Sequence, residues 1–179
     1  MPLLARRPVL SIEDARILLN VLSREGRLQA HAAVSLMLLA GLRFGEVRRL
    51  TVGQYEAGPE PWLDVDGRRR IPIAPSAAAA VDAWLAAAPA AADELLIDSD
   101  YGGALGHLFA LMAEQNGIQA TMHSLRQVAI MAAWMDGCPG SHIEAYFGID
   151  KALDRKALVP LSDGYDAAMA RTLEAAFGV

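Results

Sequence analysis

A chain of 179 residues, 54% of them hydrophobic, suits one globular domain with a core of its own. Cys138 is the single cysteine, which excludes an internal disulfide and fits a reducing compartment. The net charge of −5 excludes a generic DNA coat, and no run is long enough for a membrane span or shaped like a signal peptide, so a soluble cytoplasmic protein is expected. The charge is unevenly spread: residues 1–70 carry eleven Lys/Arg against eight Asp/Glu, and residues 71–179 carry five against thirteen. Phosphate contacts need local positive charge rather than a basic total. The local clusters are Arg6-Arg7, Arg48-Arg49 and Arg68-Arg69-Arg70. The plainer reading of any such pair is a solvated face.

In chain order, residues 11–23 open on Ser11 with Asp14 three residues later, then repeat apolar residues at helical spacing. Gly26 ends that helix. Residues 29–40 are almost wholly apolar and predict a central helix, stopped by Gly41, with a short helix over 46–50. Residues 62–65 and 70–73 have strand character around the turn Asp66-Gly67. An Ala-rich helix runs to residue 87 with Ser76 as its N-cap, and 95–97 is extended. Gly102-Gly103 forms a turn before a helix over 105–115, which Asn116-Gly117 ends. Further helices are expected over 124–135, 142–147 and 166–176. The fold class is mainly α with one small antiparallel sheet.

Two islands carry chemistry. In Ala40-Gly41-Leu42-Arg43-Phe44-Gly45-Glu46, an arginine leaves the end of a buried helix, where a rigid guanidinium suits a bidentate grip on phosphate. Glu46 could orient it. Alternatively, Arg43 caps the preceding helix or simply pairs with Glu46. In His123-Ser124-Leu125-Arg126-Gln127, His123 and Arg126 share one face at a helix start, where an anion is favoured. A helix-capping role for His123 is the alternative. His31, His107 and His142 have no metal-like spacing.

The first island resembles box I of the tyrosine recombinases (phage integrases): a buried helix, Gly-Leu-Arg, then Glu. The second resembles box II, His-x-Leu-Arg. Between them, Arg70-Ile71-Pro72-Ile73 resembles the family's hairpin ending, and Asn116-Gly117-Ile118 its Ala-Gly-Ile. The resemblance covers residues 8–177. It implies a single catalytic domain over 1–179, with 1–10 as an N-terminal extension and 166–179 as a C-terminal helix packed in cis or exchanged between protomers. The family's usual core-binding domain is expected to be missing, as in the small inversion recombinases.

The resemblance also implies chemistry. A tyrosine attacks the scissile phosphate to form a phosphotyrosine intermediate, and the stored bond energy removes any need for ATP, metal or another cofactor. Arg43 and Arg126 match the two arginines that neutralise the phosphate oxygens, and His123 matches the box II histidine. Tyr165 is the candidate nucleophile; the alternative is an ordinary packing tyrosine. Tyr55 and Tyr101 precede box II, and Tyr146 sits on an apolar helix face. Arg48, Arg49, Arg68, Arg69 and Arg70 would contact DNA, with Glu46, Gln127 and Ile149 in supporting positions. The sequence departs from the pattern in three places. The hairpin has no lysine, and Arg68 would be a poor acid in its place. Ile149 stands where the family has His or Trp, and Gln127 where it has a second histidine.

The reading that follows is a site-specific recombinase or integrase of bacterial, phage or mobile-element origin. It would act on double-stranded DNA as a homo-oligomer, with no membrane partner. The alternative is a catalytically degenerate descendant that binds DNA or regulates.

Overall fold

The computed structural model describes residues 10–67, 69–149 and 163–178. Among them, eight α-helices, a 3-10 turn (Val52–Gln54) and three short strands are formed: α1 (Ile12–Arg24), α2 (Leu28–Leu39), α3 (Phe44–Val47), β1 (Tyr55–Glu56), β2 (Trp62–Val65), β3 (Arg69–Pro72), α4 (Pro75–Ala87), α5 (Ser99–Gln115), α6 (Met122–Met135), α7 (Gly140–Phe147) and α8 (Asp163–Phe177). The mainly helical class with a small antiparallel sheet is as expected.

The core is organised around α2. Its buried residues run without a break from Ala32 to Leu39, and it packs on α1, α4, α6 and α8. Alpha1 is amphipathic, capped by Ser11 Oγ accepting from the Asp14 amide at 3.0 Å, and buries Ala15, Leu18, Leu19 and Leu22 against this hub. Gly41 ends α2 with φ +65°. A β-carbon there would come within 2.3 Å of the Phe147 ring, so glycine is required for both the turn and the close approach.

The sheet has the order β1-β2-β3, antiparallel throughout, with Val65 opposite Arg69 and Trp62 opposite Pro72. Pairing therefore starts at Arg69, so β3 begins one residue earlier than its apolar run suggests. Asp66 and Gly67 both take positive φ, 55° and 62°, which explains their place in the turn.

Several boundaries differ from expectation, and each has a local cause. Alpha3 starts at Phe44, directly after Arg43, because Glu46 accepts the Arg43 amide at 2.7 Å and closes the first turn. Ala74, not Ser76, is the N-cap of α4. Pro75 occupies the first helical position, and Ser76 Oγ instead donates to Glu174 Oε1 at 2.6 Å. Gly102-Gly103 lies inside α5 rather than before it. Alpha8 begins at Asp163, so Tyr165 lies in its first turn rather than ahead of it. Alpha8 buries Met169, Leu173 and Phe177 against α2, α6 and α7. Glu174 and Thr172 tie it further, the latter donating to Asp136 at 2.7 Å. Among the described residues, no helix is long and apolar enough to cross a membrane.

Candidate functional site

The site forms where α3, β3, α6 and α7 converge on one buried carboxylate. Glu46, 6% exposed, sits on the single turn of α3. Its Oε2 accepts the Arg43 amide and receives Arg69 Nη2 at 3.2 Å, with Arg126 Nη1 at 3.7 Å; Oε1 lies 3.8 Å from Arg43 Nη1. Three arginines from three parts of the chain thus share Glu46.

Their donors also hold the C-terminal end of α7. Arg126 Nη2 donates to the Phe147 carbonyl at 2.6 Å and Nη1 to the Gly41 carbonyl at 2.9 Å. Arg69 Nη1 donates to the Phe147 carbonyl at 3.0 Å, and Arg43 Nη2 to the Gly148 carbonyl at 2.7 Å. The negative end of the helix dipole therefore points into the cluster. Gly148 closes α7 in the left-handed conformation, with its own amide on the Ala145 carbonyl and the Ile149 amide on the Glu144 carbonyl. A β-carbon on Gly148 would overlap the Arg69 guanidinium, which would have to move aside.

The arginines differ in exposure. The Arg126 side chain is 9% exposed and Arg69 15%, while Arg43 is 49% exposed and is the one turned to solvent. Burial, and then the charge of Arg43, lower the Arg126 pKa to about 10 against the opposing pull of Glu46, with Arg69 adding to the depression. Arg126 is still a cation at neutral pH. Three guanidiniums around one carboxylate leave a local positive excess, and Arg43 carries it to the surface.

Arg43 and Arg126, 83 positions apart in the chain, both lie beside Glu46. His123 does not join them by a hydrogen bond: it is exposed in the first turn of α6, with Nε2 3.2 Å from Gln127 Nε2. The N-cap of that helix is Thr121, whose Oγ1 accepts the Ser124 amide, so His123 is not the cap. Ile149 packs against the core. Tyr146 is buried, its hydroxyl donating to the Pro72 carbonyl at 2.8 Å. The Tyr165 side chain, Arg68, Arg6, Arg7, Lys151 and Lys156 lie outside the described residues, as does the segment 150–162.

Of the expected DNA-contacting arginines, Arg48, Arg49 and Arg70 are exposed. Arg49 pairs with Asp66 at 3.0 Å, and Arg70 pairs with Glu56 and stacks 5.2 Å over Trp62. Arg69 is different: it turns inward and belongs to the buried cluster. The signal was present in the strand period. Residues 69, 71 and 73 share a face, and Ile71 and Ile73 are buried.

No protein-family model matches the chain, and no curated protein matches it in sequence. A solved structure does: the crystal structure of XerA recombinase superposes with a TM-score of 0.70, at 20% identity, over 92% of this chain and 65% of that one. The chain has the tyrosine-recombinase fold. It spans about two thirds of the length of that recombinase. Within this fold, the two islands read from sequence are the segments that bring Arg43 and Arg126 to Glu46.

Proposed function

We propose that this chain is a recombinase-type DNA strand-cleaving and rejoining domain whose arginine cluster receives the scissile phosphate. The observation that carries the reading is the convergence of Arg43, Arg69 and Arg126 on Glu46 within a recombinase fold. Arg43, half exposed and with donors to spare, would grip a non-bridging oxygen, and Arg126 and Arg69 would hold the field positive behind it. Tyr165 would attack phosphorus through its hydroxyl oxygen, forming a phosphotyrosyl bond and breaking the bond to the 5′ oxygen. A 5′ hydroxyl from a second strand reverses the step, so no external energy is needed. The departing 5′ oxygen needs a proton. The hairpin has no lysine and a guanidinium holds its proton tightly, so the exposed His123 imidazole would take the proton of the Tyr165 hydroxyl and pass one to the departing oxygen. Duplex DNA is the partner, with Arg48, Arg49 and Arg70 on its backbone and several copies of the chain acting together.

A second reading has its own support. The donors of Arg126 already meet two main-chain carbonyls, and the hairpin has no lysine. A domain that binds DNA without cutting it, as a regulator, is consistent with both. A pool of nicked duplexes of randomised sequence separates the two. Cleavage next to the nick releases a short strand and traps a covalent protein–DNA adduct. The recombinase reading expects an adduct that survives denaturation and is lost in Tyr165→Phe. Binding at low ionic strength with no adduct supports the regulator.

A further inference from the structure

A second feature lies away from the arginines. A cleft of about 410 Å³ opens between α1, α2 and α4. It exists because α4 faces α2 with alanines, including Ala79 and Ala83 at the rim, whose small side chains leave depth that larger ones would fill. Leu19 and Leu39 form apolar wall. Two polar side chains of α2 line it, four residues apart and so on one face: His31 and Ser35. Ser35 is 1% exposed, and its hydroxyl has no hydrogen-bond partner among the described residues. A buried hydroxyl without a partner is costly and therefore calls for an explanation. Burial holds the His31 pKa below its usual value, so at neutral pH it is a neutral imidazole with one donor and one acceptor. Among the described residues no Lys, Arg, Asp or Glu lines the cleft, which leaves a charged occupant uncompensated. Ser76, also on the wall, is already committed to Glu174.

We infer that this cleft is a binding site for a small uncharged molecule, an apolar ring or short chain bearing one hydroxyl group that bonds to Ser35 and His31. The volume lies in the range of small-molecule sites, and the lining has their composition, mostly apolar with a few converging polar groups. None of Arg43, Glu46, Arg69 and Arg126 lines it, so the inference does not rest on the recombinase reading.

The test uses benzyl alcohol as probe, with toluene and benzoate as controls, against the full chain at pH 7.5, read by amide chemical shifts in a two-dimensional NMR titration. Benzyl alcohol is expected to give saturable shifts at His31, Ser35, Ala79 and Ala83. Toluene should bind more weakly, and benzoate should leave those resonances unmoved. Ser35→Ala, which removes only an unpartnered hydroxyl, should weaken benzyl alcohol roughly tenfold while the fold is kept. Ala83→Phe, at the exposed rim, should abolish the shifts. Shifts that do not saturate, that persist in Ala83→Phe, or that are equal for benzyl alcohol and toluene would overturn the inference.

Discussion

Arg69 and Arg70 are neighbours in sequence and opposites in setting. Arg69 is 15% exposed, bonded to a buried carboxylate and a buried carbonyl; Arg70 is 60% exposed, paired with an equally open Glu56 across the sheet. The strand's period of two separates them. The difference shows that one basic cluster on the page becomes two physical objects. An exposed ion pair is hydrated on both sides and contributes little. The inward arginine belongs to a desolvated network in which each partner is held because its loss would leave another charge uncompensated.

The sharpest way to break this contrast is at the shared carboxylate. Glu46→Gln leaves three guanidiniums without their common counter-charge and is expected to cost about 3–5 kcal/mol in urea denaturation. A loss under about 1 kcal/mol would mean the α7 carbonyls alone hold the cluster. Next, Arg69→Ala removes one of the two arginines that join Glu46 to the Phe147 carbonyl and leaves Glu46 with Arg43 and Arg126, for an expected loss of about 2 kcal/mol. Gly41→Ala must relieve both a positive φ and a clash with the Phe147 ring; the same assay should show a loss of about 2 kcal/mol. Arg70→Ala sits at the bottom of the series, at roughly 0–1 kcal/mol, and shrinks further in high salt. Equal losses for Arg69→Ala and Arg70→Ala would erase the comparison.

The same contrast explains what the sequence made legible. Helix positions followed from apolar periodicity and glycine stops, because burial and positive φ are local demands. Gly26, Gly41 and Gly117 all close helices with φ of 65° to 69°. The two islands were legible because each places an arginine at the edge of an apolar run. The rest depends on contacts across the chain. Ser76 has the chemistry of a cap, but Pro75 before it and Glu174 98 residues away decide otherwise. The glycine pair at 102–103 looked like a turn, yet the helix absorbs it. Arg69 was grouped with its exposed neighbours because a triplet of arginines masks the alternation that Ile71 and Ile73 continue. The hold of three arginines on the α7 carbonyls leaves no mark in the sequence, since any residue supplies a carbonyl.

The most direct test of the account is the salt dependence of duplex binding. Binding of a short duplex at several salt concentrations gives a slope of log K against log salt that counts the phosphates neutralised. Arg43 carries the cluster's charge to solvent, so Arg43→Ala is expected to reduce that slope by about 1, with weaker binding at every salt concentration. An unchanged slope would contradict the claim that the arginine cluster receives a DNA phosphate.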